Sequence, residues 1–198
     1  MIKPQSAWLY ACFLIFVTPV TYAHSPIEGI DSVYNGMLHP ILVPAHILLI
    51  SALGLFLGQH GFNQSQPALL AFIAGSSCGL VTAWFENGYL LNLPLLITAI
   101  VTALLVAINP GFNRVVLALF AALIGLGLGL DSAQETLTGR DKLASLFGSG
   151  IAMYFILLYP MALANHFNNK NWQRIGIRII GSWIAAIATL LAAFALRA

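Results

Sequence analysis

Residues 37–58 read MLHPILVPAHILLISALGLFLG, a run that contains no Asp, Glu, Lys or Arg. A helix needs about 20 consecutive apolar residues to cross the hydrocarbon core of a bilayer. This stretch is therefore predicted to be a membrane-spanning helix. It also carries His39 and His46, and an ionisable side chain inside such a segment marks a candidate functional site.

The composition of the whole chain agrees with a membrane protein. The chain has 198 residues, of which 60% are hydrophobic and 7% are charged, whereas soluble domains carry about 25% charged residues. The net charge of +2 is small and the basic residues form no patch, so nucleic-acid binding is excluded. The lipid bilayer is the predicted surrounding of the chain.

Six apolar runs long enough to span a bilayer follow one another along the chain. The predicted spans are 37–58, 67–85, 89–108, 112–130, 145–165 and 175–196. Turn-forming residues separate them, and no linker is long enough for a second domain. The predicted fold is all-α, a polytopic membrane bundle of six transmembrane helices in one domain over residues 24–198. Glycine pairs at four-residue spacing, Gly75/Gly79 and Gly125/Gly129 among them, predict close helix packing.

The N-terminus has the pattern of a secretory signal peptide over residues 1–23. Lys3 is followed by an apolar stretch over residues 7–20 and by Ala23 at an acceptable cleavage position. Cleavage would make His24 the first mature residue, whereas the alternative is an uncleaved first transmembrane helix. An exported start predicts a bacterial inner-membrane protein with a periplasmic mature N-terminus, and basic residues show a weak inward bias.

All acidic residues then fall on the predicted outer side. They are Glu28, Asp31, Glu86, Asp131, Glu135 and Asp141. Two interpretations remain open: acids accumulate where lysines are excluded, or they form a negative outer vestibule that concentrates cations.

His39 and His46 are the strongest candidates for metal ligands. Seven residues place them on one face of a regular helix, but about 10.5 Å apart along its axis. That spacing excludes joint binding of one ion on a straight helix, because metal–nitrogen distances are about 2.0–2.1 Å. Pro40 and Pro44 can unwind the start of the helix and bring His39 closer. Otherwise the two histidines form successive stations for an ion along a path. The alternative roles are an interfacial His39 bonded to a loop carbonyl and a packing role for His46.

Further candidate ligands lie in two other places. Asp131, Gln134 and Glu135 are spaced i, i+3 and i+4, so a continuing helix would place them on one face; a solvated helix end is the alternative. His24 can bind through its amino group and ring if the signal is cleaved. The predicted metal ligands are thus His24, His39, His46, Asp131 and Glu135, for a divalent ion such as nickel, cobalt or copper. No nucleophile–base arrangement is visible, so an enzyme is not expected.

Several of these features resemble the HupE/UreJ family. They are Ala23-His24, the His39-Pro40 pair before His46, and the six-span plan; the closing runs RIGIR at 174–178 and GSWIAA at 181–186 also resemble one branch of the family. The resemblance implies an accessory role for hydrogenase or urease and permeation of nickel or cobalt.

The chain departs from the family at the metal motifs. The family's first-span motif reads His-Pro-x-x-Gly-x-Asp-His, and here its glycine and aspartate places hold Val43 and Ala45. The family's second motif, Phe-His-Gly, has no histidine counterpart, and Asp131 and Glu135 are the nearest substitutes. Oxygen ligands in place of imidazole shift metal preference away from nickel.

Two functional hypotheses follow. The first is a permease or delivery protein for a transition-metal cation, with the outer acids collecting the ion and the histidines receiving it. The second is a non-transporting accessory subunit that packs against a membrane metalloenzyme, favoured by the missing motif residues and the glycine-lined helices.

Overall fold

The computed structural model describes residues 29–85, 91–134 and 136–197. Within these ranges the chain forms seven helices and no strand: α1 Ser32–Leu42, α2 Pro44–Gln59, α3 Phe62–Phe85, α4 Asn92–Ile108, α5 Arg114–Leu130, α6 Gly139–His166 and α7 Asn171–Ala195. The all-α prediction is confirmed. The predicted signal peptide 1–23 and the candidates His24, Glu86 and Glu135 lie outside the described residues.

Helix length supports three to four membrane spans rather than six. Helices α3, α6 and α7 are long and apolar enough to cross a bilayer, and α1 with α2 makes a fourth if the pair is one broken span. Helices α4 and α5 are apolar but have 17 residues each, or about 25 Å at 1.5 Å per residue. That is shorter than a hydrocarbon core of about 30 Å, so the count of six is not confirmed.

The single helix predicted over residues 37–58 is wrong, because the chain bends by 73° between α1 and α2. Val43 lies between the two helices in an extended conformation, with φ −85° and ψ 109°. Pro44, the first residue of α2, has no N–H, and its ring would clash with the carbonyl four residues earlier in a continuous helix. The proline therefore ends α1 and starts a new helix in another direction.

Helix α2 forms the centre of the bundle. Nearly all of its side chains from Ala45 to Gln59 are buried, and it contacts each of the other six helices of the described chain. A helix that is apolar on every face is expected at such a position. Around it, α3 packs on α5, α4 packs on α7, and α6 packs on both α1 and α2.

Glycines allow α3 and α5 to approach at backbone distance, as their spacing predicts. A Cβ on Gly125 would lie 2.6 Å from the carbonyl oxygen of Phe72, and one on Gly129 would lie 2.5 Å from that of Ser76. Gly75 and Gly79 face α5 in the same way. Close backbone contact of this kind is a main source of helix association in membranes.

The helices place one set of termini together. At one end of the bundle, α2, α4 and α6 begin and α3, α5 and α7 end. This end contains His39 and His46 and is called the histidine end. The described acids all belong to this end: Asp31 caps α1, Asp131 follows α5, and Asp141 is in the first turn of α6. Ser32 Oγ donates a hydrogen bond of 2.9 Å to Asp141 and joins the starts of α1 and α6.

We expect Gly129→Ala to destabilise the protein, because the added methyl group meets backbone atoms that cannot rotate away. Overpacking of this kind costs about 1–3 kcal/mol, which should lower the thermal unfolding midpoint in detergent. Gly127→Ala is the matched control in the same helix, since its Cβ would meet only a Leu95 methyl at 3.4 Å. Equal midpoints for the two variants would contradict the close α3–α5 contact.

Candidate metal centre

His46 is in the first turn of α2, and its side chain is completely buried. Its Nε2 atom lies 2.9 Å from Oδ2 of Asp131, whose side chain is also fully buried. This distance is that of a charge-assisted hydrogen bond. The pair joins the start of α2 to the end of α5, which are 85 residues apart in sequence.

Asp131 also contacts a third helix. Its Oδ1 accepts a hydrogen bond of 2.8 Å from the backbone N–H of Leu91, the residue that precedes α4. Each carboxylate oxygen therefore has its own partner. One acidic side chain thus connects the ends of α2, α4 and α5.

The helix that was predicted to continue through Asp131 and Gln134 does not form, and Glu135 lies outside the described residues. Helix α5 ends at Leu130, and residues 131–134 form a turn and an irregular segment. This segment folds into the protein, because Asp131 is 1% exposed and Gln134 is 4% exposed. The alternative of a solvated helix end is therefore wrong for these two residues.

The bend at Val43 brings His39 to His46. Their ring centroids are 5.2 Å apart, and the rings are nearly perpendicular at 84°. His39 is 2% exposed. His39 thus lies close to His46, although Pro40 does not unwind its helix and the break occurs at Val43. The structure brings together three predicted site residues: His39, His46 and Asp131.

One nitrogen at this site stands out. Nδ1 of His46 is buried and has no hydrogen-bond partner. A buried polar atom without a partner costs about 1–3 kcal/mol. An imidazole nitrogen in that position suits a metal cation, which is the ligand that the sequence predicts for it.

The described residues alone do not complete a metal site. Among them there is no cluster of three or more His, Cys, Asp or Glu side chains arranged to hold a metal ion. Closed structural metal sites have four protein ligands, and His39, His46 and Asp131 do not reach that number. The predicted ligands His24 and Glu135 lie outside the described residues.

Sequence reasoning missed the other polar residues buried near these helix ends. Lys142 in the first turn of α6 is 9% exposed, and its Nζ donates to the carbonyl of Trp84 at 3.1 Å, next to the end of α3. A cation is favourable there because the helix dipole is negative at its C-terminus. Ser149 Oγ donates to the carbonyl of Gly36 at 2.9 Å and fixes α1 on α6. Neither role leaves a local sequence pattern.

The remaining described histidines are at the other end of the bundle. The ring nitrogens of His60 lie 2.9 Å from the carbonyl of Phe56 and 3.0 Å from that of Pro110. His60 therefore joins the end of α2 to the loop between α4 and α5. His166, the last residue of α6, is exposed.

A family model described as HupE / UreJ protein matches residues 12–191. The chain belongs to the HupE/UreJ family. This is a membrane family with nickel- or cobalt-related accessory or permease-type roles. The comparisons with curated proteins and with solved structures gave no match.

We expect the free energies of unfolding of His46→Ala and Asp131→Ala to be non-additive. Removing one partner of a buried pair leaves the other without compensation and costs about 3–5 kcal/mol, so the double variant should lose less than the sum of the single losses. The measurement is a double-mutant cycle of unfolding in detergent. Additive losses would show that the 2.9 Å contact between Nε2 and Oδ2 contributes nothing specific.

Proposed function

We propose that this protein is a permease or delivery protein for a divalent transition-metal cation of the nickel or cobalt type. In this proposal the protein lies in the bacterial inner membrane with the histidine end on the periplasmic side. The cation is the cargo, and His39 and His46 are its receiving side chains.

The observation that carries the proposal is the buried imidazole of His46 with an unpartnered Nδ1. Its Nε2 is engaged by Asp131 at 2.9 Å, and the second imidazole, His39, lies 5.2 Å away between ring centroids. A polar atom buried without a partner is unfavourable, and a bound cation would supply the missing interaction. Imidazole is a ligand suited to nickel, copper and related ions.

The charge distribution supports capture of the cation at the histidine end. The exposed acids of the described chain, Asp31 and Asp141, belong to the histidine end. Surface acids raise the local concentration of cations. The described residues leave the ligand set incomplete, which favours release of the cation, because tight structural sites require a closed shell of four ligands.

The proposal includes membrane crossing by the two shorter helices. Helix α5 packs along the length of α3, and α4 packs along α7, and both partners are long enough to span a bilayer. A helix slightly shorter than the hydrocarbon core is accommodated by local thinning of the bilayer at modest cost. The six apolar segments would then all cross, which would be tested by labelling single cysteines placed in each connecting loop.

The deciding experiment measures metal accumulation in cells that lack their own nickel and cobalt uptake. Wild-type protein should raise accumulation, and His46→Ala should reduce it to the level of cells without the protein, because the buried imidazole is lost. His166→Ala is the matched control, since His166 is exposed at the opposite end of α6, and should behave as wild type. Unchanged accumulation of nickel, cobalt and copper in His46→Ala would refute transport through this site.

A second candidate function is an accessory subunit of a membrane metalloenzyme. It is favoured by the absence of a three-ligand cluster in the described part of the chain and by Val43 and Ala45 at the family's motif positions. Both side chains are buried and apolar, at 3% and 0% exposure. Co-purification of a stoichiometric metalloenzyme, together with no metal uptake by the wild type, would favour this role over a carrier.

A further inference from the structure

We infer that Asp131 is a positioning residue and not a metal ligand: it holds His46 with the proton on Nε2 and keeps the Nδ1 lone pair available as the metal-binding atom. The metal-binding half of this inference rests on the proposed function. The tautomer half rests only on the contacts of Asp131 and His46.

The first step concerns the carboxylate oxygens. Oδ1 lies 2.8 Å from the backbone nitrogen of Leu91, and a backbone N–H can only donate. Oδ1 is therefore an acceptor. Oδ2, at 2.9 Å from Nε2 of His46, is the remaining oxygen. The 2.9 Å between Nε2 and Oδ2 is the length of a hydrogen bond from an N–H to a carboxylate oxygen, and we therefore assign the proton of this contact to Nε2.

The second step concerns the imidazole. A neutral imidazole has one N–H and one acceptor nitrogen, so a proton on Nε2 makes Nδ1 the acceptor. The opposite tautomer would place the Nε2 lone pair 2.9 Å from a carboxylate oxygen. It would also leave a buried Nδ1–H without an acceptor, since Nδ1 has no hydrogen-bond partner. The surroundings of the ring therefore select one tautomer.

The third step connects this tautomer to metal binding. Metal-bound histidines usually donate their second ring N–H to a carboxylate or carbonyl, which fixes the tautomer and orients the ring. Loss of such a partner lowers metal affinity about 10–100-fold. Asp131 already occupies that role toward His46, and both of its oxygens are engaged by protein groups. Nδ1 of His46 is therefore the atom of this pair whose lone pair remains available to bind a cation.

Asp131→Asn provides the test, because Leu91 fixes the orientation of the new amide. The Leu91 N–H needs an acceptor, so the amide oxygen takes the place of Oδ1 and the NH₂ group faces His46. Nε2 must then accept, and the ring proton moves to Nδ1. Nitrogen-15 NMR of histidine-labelled protein in alkaline buffer, where imidazole is neutral, should report Nε2–H in the wild type and Nδ1–H in the variant. The His46 signals are assigned by their loss in His46→Ala.

Nickel titration of the purified proteins tests whether Nδ1 of His46 is the metal-binding atom. Asp131→Asn should weaken Ni²⁺ binding about 10–100-fold, because Nδ1 carries a proton. His166→Ala is the control, because His166 is exposed at the opposite end of the bundle, and it should bind as the wild type does. A reversed tautomer with unchanged nickel affinity would overturn the assignment of Nδ1 as the metal-binding atom.

The outcomes separate this inference from the proposed function. An Nδ1–H signal for His46 in the wild type, which needs no variant to fold, overturns the positioning role even if nickel is transported. An Nε2–H signal in the wild type that moves to Nδ1–H in Asp131→Asn supports that role. If the wild type then binds neither Ni²⁺ nor Co²⁺, the proposed function and the metal-binding half fail together while the positioning role stands.

Discussion

The missing N–H of Pro44 is the constraint on which the arrangement of the candidate site depends. It ends the first helix at Leu42 and lets the chain turn by 73°. Helix α1 then lies against α6, where Gly36 and Gly148 allow backbone contact. His39, which a continuous helix would hold about 10.5 Å along the axis from His46, comes to a ring-centroid distance of 5.2 Å.

The contact between His46 and Asp131 adds specificity rather than much stability. Moving two ionisable groups out of water is expensive, and apolar replacements for buried pairs are often neutral or stabilising. The pair fixes the positions of three helix ends relative to one another. Asp131 directly follows α5, accepts a hydrogen bond from the backbone N–H of Leu91 before α4, and contacts His46 in α2. A shift of any of these helices along its axis would leave a buried polar group without its partner, and that penalty favours one register of the bundle.

The sequence was informative wherever the signal is local. Apolar runs located the helices, glycine spacing indicated which helix faces approach a neighbour closely, and the scarcity of ionisable residues identified His39, His46 and Asp131 as candidates. The bend and the burial of Asp131 were not predictable in this way. Whether Pro44 breaks a helix or only kinks it depends on what α1 packs against, and Asp131 is held by the backbone N–H of Leu91, which has no signature in the sequence. The same holds for Lys142, whose partner is the carbonyl of Trp84.

The departures from the family motif gain a physical meaning from this geometry. The position before His46 holds Ala45, which is completely buried, and the carboxylate that contacts His46 belongs to Asp131 at the end of α5. A carboxylate on a separate helix couples the orientation of the imidazole to the packing of α5 and α4. Under the proposed function, a small displacement of α5 relative to α2 would loosen the hydrogen bond that fixes His46 and thereby weaken its hold on the cation. Affinity for the ion would then depend on helix packing, which is the dependence that a protein needs if it both receives and releases its cargo.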